Sequence, residues 1–177
     1  MKSRQKNSLI LASTLMEKYN FESYYSNLNH YLLTSGSSEG STSLSAFDLA
    51  IRSANLGNLK MIPVEEPPAH LSAGHTHLPF HTDTSVPVMF SSITSKYPGE
   101  KISSAIAIAV PEDPESPSLI IKKSDSIDAE VIEEQVRTLA KATIENRNLK
   151  LRELSSISVQ HNVEYIGSTF AAILFSE

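Results

Sequence analysis

Four histidines, His70, His75, His77 and His81, fall within twelve residues, and Asp83 follows them. Neutral imidazole is a common metal ligand, and the His75-Thr76-His77 spacing puts both rings on one face of an extended segment. The Asp83 carboxylate could complete such a site or orient a ring. Zinc or nickel is what this donor set would take. The set lacks the regular spacing of finger motifs, and a solvated loop rich in histidine accounts for it more simply, so no bound metal is expected.

Other reactive side chains are weaker candidates. Ser37-Ser38 and Ser103-Ser104 are serine pairs in a loop and a buried strand, where they serve turns or packing. Gly36 to Gly40 could offer backbone N–H groups to an anion but lacks the lysine of a phosphate loop. His161 follows a strand and reads as a satisfied structural residue. The acidic stretch from Asp125 to Glu134 reads as a solvated helix start.

These residues need elements to hold them. Leu11, Leu15 and Tyr19 suggest a short helix over 8–19. His30 to Thr34 reads as a strand and Ser35 to Gly40 as a flexible loop. A helix starts near Ser43 or Ser45 with an N-cap hydroxyl, buries Leu44, Phe47, Ile51 and Ala54, and ends at Gly57 in a left-handed cap. Lys60 to Val64 reads as a short buried strand, stopped by Pro67-Pro68. Strands follow at Val86 to Ile93, at Ile102 to Val110 with both faces buried, and at Ser118 to Lys122. The longest helix begins at the caps of Asp125 to Asp128 and ends around Arg147. Val131, Ile132, Val136, Leu139, Ala140 and Thr143 form its buried stripe. Ser155 to Val159 and Thr169 to Phe175 are the last strands. This order favours a mixed α/β sandwich over a bundle.

Composition bounds the class. The 177 residues suit one domain. No cysteine is present, which excludes disulfides and thiolate chemistry. A net charge of −5 argues against nucleic acid as the main partner. Lys2, Arg4 and Lys6 before Leu9 to Ala12 faintly imitate a signal peptide, but the apolar run is short. No stretch approaches the ~20 apolar residues of a membrane span. A cytoplasmic protein with no membrane or nucleic-acid partner is expected.

Ordered blocks carry a family resemblance. Gly36-Ser37-Ser38-Glu39-Gly40, Ala46-Phe47-Asp48 and Gly57-Asn58 form the first half. Pro98-Gly99-Glu100, the run from Ile102 to Pro111, Ser156 to His161 and Phe170-Ala171-Ala172 form the rest. Together they resemble the pyruvoyl-dependent arginine decarboxylases in their short archaeal form, over a single domain at 27–177 behind an N-terminal extension at 1–26. The resemblance implies an α/β (α+β) fold, a four-layer α/β/β/α sandwich of the pyruvoyl-dependent histidine/arginine decarboxylase type. It also implies trimers with active sites between subunits. Family proenzymes cut themselves at a serine, which becomes a pyruvoyl group. That carbonyl forms a Schiff base with arginine and draws electrons as carbon dioxide leaves, giving agmatine.

The departures decide what this copy can do. At the family's cleavage positions the chain reads Pro63-Val64, in a segment two residues shorter than the archaeal pattern. Self-cleavage needs a hydroxyl beside the scissile carbonyl, and no serine lies between Ala54 and Leu71. Lys60 stands where the family has an asparagine that assists processing. Lys122 stands where it has a proton-donating glutamate. A lysine donates only if burial or nearby cations lower its pKa. Asp48 matches an aspartate near the family's substrate pocket, and Gly57 accompanies it. The expected protein is an unprocessed, silent copy without pyruvoyl, forming homotrimers or mixed trimers with an active paralogue. A working arginine decarboxylase and a non-catalytic binder of guanidinium or amine ligands such as arginine or agmatine are the alternatives.

Overall fold

The computed structural model describes residues 23–71, 73–74 and 85–177. The helix expected over 8–19 lies outside them. The described elements are β1 (His30–Glu39), α1 (Ser43–Ser53), β2 (Lys60–Pro63), β3 (Ala73–Gly74), β4 (Ser85–Ser95), β5 (Lys101–Pro111), β6 (Leu119–Asp125), α2 (Ala129–Asn146), β7 (Leu151–Asn162) and β8 (Gly167–Ser176). Among the described residues they make one sheet in the order β2-β4-β8-β1-β3 and a second in the order β6-β5-β7.

Three apolar clusters weld these into four layers. The first cluster, with Val88, Phe170 and Leu174, joins α1 to the larger sheet. The second, with Tyr31, Met89, Ile106, Ile108 and Ile173, fills the space between the sheets. The third, with Ala105, Ala107, Ala109, Ile132 and Val136, joins α2 to the smaller sheet. The result is the expected α/β/β/α sandwich.

Strand β5 shows how the sequence writes those layers. Its isoleucines point between the sheets, where facing layers stand about 10 Å apart and large side chains are needed. Its alanines point at α2 and let the helix come close. From Ile102 onward the strand is buried on both faces, as the sequence suggests.

Helix α2 buries Ile132, Val136, Ala140 and Ile144, each one turn from the next. Val131 (48% exposed) and Leu139 (54%) face outward instead, a correction to the expected stripe. Adjacent aliphatic pairs at 131–132 and 139–140 offer two phases, and close approach to the alanines of β5 selects the second. Asp128 is the N-cap residue but its side chain makes no cap hydrogen bond. Its carboxylate pairs with Lys101, and Gln160 of β7 receives the Ala129 N–H at 3.1 Å.

The segment read as a flexible loop, Ser35 to Gly40, is strand as far as Glu39, paired with β8 from Ala171 to Gly167. Small residues are needed there because α1 lies on the strand. A Cβ on Gly36 would sit 2.4 Å from the Ala50 carbonyl oxygen and 2.5 Å from the Ala54 nitrogen. Thr42, rather than Ser43 or Ser45, caps α1 and forms a capping box with Ser45. Leu44, expected in the buried face, is 78% exposed.

The helix also ends differently. Asn55, at φ 63°, takes the left-handed position assigned to Gly57, and the Leu56 N–H returns to the Ile51 carbonyl at 3.2 Å. Strand β2 is an edge strand, half exposed rather than buried, parallel to β4 from Lys60↔Ser85 to Pro63↔Val88. No helix of the described residues is long and apolar enough to cross a membrane.

Candidate functional site

The β2 edge carries the positions where the family resemblance would place chemistry. Pro63 is the last residue of β2 and is exposed. Val64 follows it, donates its N–H to the Val88 carbonyl at 3.0 Å, and packs against the core between the sheets. The bend beyond is tied down by the Tyr25 hydroxyl, which donates to the Glu66 carbonyl. Burial, then the Glu66 carboxylate, push the Tyr25 phenol up to about 12.

No Ser, Thr or Cys occurs from Ala54 to Leu71. An acyl shift that converts a peptide into an ester needs the oxygen on the residue after the scissile bond. Neither the Val64 isopropyl group nor the Pro63 ring has one, so the residues at this place do not fit a pyruvoyl group made from the chain.

Lys122 lies on β6, the edge strand of the second sheet on the same side of the sandwich. It pairs with Ile106, so it shares a face with Ile106 and Ile120, turned toward the larger sheet. Strand β6 lies against β4, the neighbour of β2. Lys60, Pro63, Val64 and Lys122 therefore gather along one side of the sandwich. Lys123 points the other way, donating to Gln135 of α2 at 2.7 Å.

Asp48 and Gly57 stand in another layer. Asp48 lies on α1, on the outer face of the larger sheet, with its carboxylate 2.9 Å from Arg52 Nε. The sheet itself separates it from Lys122 of the same chain. Arg52 is not among the residues singled out from the sequence, although an acid and a base four residues apart on a helix is a recognisable signal.

The histidine cluster is divided by what the structure describes. His75, His77, His81 and Asp83 lie outside the described residues. His70 is exposed, with Nδ1 3.0 Å from the Pro114 carbonyl oxygen. It lines a cavity of about 120 Å³ with Leu71, Asp113, Ser116 and Arg152. Among the described residues no group of three or more His, Asp or Glu is placed to hold a metal.

The weaker candidates make contacts within the fold. His161 Nε2 is 2.5 Å from Glu39 Oε1. Ser103 donates to the Ile127 carbonyl at 2.6 Å, and the Ser104 and Thr169 hydroxyls meet at 2.7 Å. Ser37 and Ser38 belong to β1 and not to a loop.

Sequence reasoning also misses a clamp at Glu39. Its carboxylate accepts the N–H groups of Glu164, Tyr165 and Ile166 at 2.9–3.0 Å, closing the β7–β8 turn. Partial burial alone would raise its pKa, but these N–H groups and His161 outweigh it, and the net direction is down from 4.5. A lowered folded value means the clamp is intact above the unfolded value and is lost as pH falls through the folded one. Glu39→Gln should flatten the fall of Tm below about pH 4.5 and cost about 2 kcal/mol at neutral pH. Thermal melts across pH 3–7 read both; parallel wild-type and variant curves would show that the clamp is not what titrates.

Tyr31 is a second buried feature, donating to Glu153 Oε1 at 2.6 Å. Burial and then that hydrogen bond raise its pKa, so it stays a neutral donor across the working range.

Comparisons with known proteins match most of the chain. The family profile described as pyruvoyl-dependent arginine decarboxylase (PvlArgDC) matches residues 30–177. The chain is 37% identical over 151 residues to the pyruvoyl-dependent arginine decarboxylase of Methanocaldococcus jannaschii, covering 84% of this chain and 90% of that one. It is 31% identical over 146 residues to the Methanococcus maripaludis (strain C7) protein of the same name, covering 81% and 88%. Among solved structures, a pyruvoyl-dependent histidine decarboxylase at pH 8 is 17% identical with a TM-score of 0.42, covering 55% of this chain and 52% of that one.

Proposed function

Because this chain belongs to the pyruvoyl-dependent arginine decarboxylase family, we propose that it is a silent member which keeps the sandwich but makes no pyruvoyl group. It acts in the cytoplasm as a trimer-forming or regulatory partner of an active sister chain. The observation that carries this reading is the absence of any hydroxyl at Pro63-Val64. Catalysis in the family rests on a carbonyl that this segment cannot supply.

The other positions support it. Lys122 replaces the family's acidic proton donor with an ammonium group. The placement of Asp48 and Lys122 on different layers suits a site shared between chains, with Asp48 and Gly57 on one wall and the β6 edge of a neighbour on the other. A silent subunit still supplies one such wall to a processed sister. Asp48 keeps a carboxylate that can take a guanidinium or amine, so arginine and agmatine are the ligand class of that wall.

Co-expression with an active, processed relative tests the partnership. Native mass spectrometry should find mixed trimers containing the uncut chain beside the cut one. Separate assemblies of each, with no exchange, would overturn it.

A further inference from the structure

Arg52 bridges the two positions, Asp48 and Gly57, to which the proposed function assigns guanidinium or amine binding, and a role for Arg52 at this wall rests on that reading. Its Nε donates to Asp48 Oδ2 at 2.9 Å. Its stem lies over Gly57, where an added Cβ would come within 2.7 Å of Arg52 Cγ and 3.4 Å of Arg52 Cβ. The helix sets the first contact, since positions 48 and 52 lie one turn apart on one face. The turn after α1 sets the second. Asn55 donates to the Arg52 carbonyl at 3.0 Å and, with φ 63°, swings the chain back so that Gly57 passes beneath the arginine stem.

We infer that Arg52 is an internal guanidinium that occupies Asp48 in place of a ligand's and closes this wall to arginine and agmatine. The chemistry is the same on both sides of the exchange. A carboxylate that takes an external guanidinium takes Arg52 equally well, and the helix tethers Arg52 one turn away. Among the described residues, Arg52 is the group that meets the Asp48 carboxylate.

The pair is solvated, with side chains 62% and 58% exposed, so the contact itself is weak and exchangeable. It resists displacement by about twofold. The positive charge of Arg52 persists when the pair opens and repels a second cation nearby, adding about fivefold in water-like surroundings. Together they weaken guanidinium binding about tenfold. Gly57 adds a steric element, because the arginine stem takes the space a side chain there would need.

The test is calorimetric titration of agmatine into the full chain and its variants. Arg52→Ala is at an exposed helix position where alanine is a good helix former, so the variant should fold. It should bind agmatine about tenfold more tightly than wild type. Arg52→Gln, which keeps the stem over Gly57 and removes the charge, should recover most of the gain. Arg52→Ala combined with Asp48→Asn should lose it. Equal binding by wild type and Arg52→Ala, or no gain in either single variant, would overturn the closure. Intact mass on the same samples keeps this apart from the proposed function. An uncut chain without a gain refutes only Arg52, whereas a cut chain bearing a carbonyl refutes silence whatever the titration gives.

Discussion

Incubated with L-arginine, the purified chain is expected to release no carbon dioxide above the spontaneous rate, and Lys122→Glu is expected to leave that unchanged. Decarboxylation leaves an electron pair on carbon, and only a conjugated carbonyl or its equivalent spreads that charge. Proton donation acts after that step, so on the proposed reading, in which the main term is missing, restoring an acid at position 122 returns only a late contribution of about 10²–10⁴-fold. Enzymes supply accelerations of roughly 10⁶-fold and more. The difference between a working relative and this chain should therefore be the whole catalytic effect. Radiolabelled carbon dioxide capture checks it; arginine-dependent release by wild type, or its appearance in Lys122→Glu, would mean that an electron sink exists elsewhere in the chain.

The second large effect concerns the fold. Gly36→Ala should destabilise the protein by about 3 kcal/mol. For a chain of this size that lowers Tm by roughly 6–12 °C. The new methyl group meets backbone atoms of α1, the Ala50 oxygen at 2.4 Å and the Ala54 nitrogen at 2.5 Å, which cannot rotate away. Strand and helix must separate, opening the cluster around Phe47, Phe90 and Phe170, whose rings lie 5.2–6.1 Å apart. A flexible loop at Ser35 to Gly40 would give the opposite sign, since Gly→Ala in a compatible loop stabilises by about 0.4–1 kcal/mol. Gly99→Ala is the control. No atom lies within 4 Å of its added methyl, and its φ of +85° costs backbone strain alone, about 1–2 kcal/mol. A rise in Tm for Gly36→Ala would remove α1 from the surface of β1.

That sign difference shows where the sequence is legible. The Ile/Ala alternation of β5 is readable as a strand buried on both faces because neither face carries a polar series, while which layer each face meets comes from the packing. The run Ser35 to Glu39 is not, because serine and glycine serve a turn and a crowded strand equally, and the helix that requires them comes later in the chain. Periodicity includes Val131 and Leu139 in the buried stripe of α2 beside Ile132 and Ala140 for a related reason. It reports a stripe, but the alanine floor of β5 decides which of two adjacent aliphatic residues meets it.

The candidate site divides similarly. A missing hydroxyl at Pro63-Val64 is a fact of composition and needs no coordinates. The gathering of Lys60, Val64 and Lys122 along one edge depends on β6 lying against β4, which strand order in the chain does not give. The separation of Asp48 from Lys122 by a sheet is likewise tertiary. The Arg52–Asp48 pair is within reach of the sequence through its spacing, but its contact with Gly57 depends on the turn at Asn55.

Intact mass spectrometry of the freshly purified full chain tests the central claim most directly, because self-cleavage leaves a covalent record that needs no substrate. A single species near 19.4 kDa, with or without Met1, is the expected result. Two fragments, the larger blocked at its N-terminus and reactive toward a carbonyl reagent, would contradict it and make the chain a working member of its family.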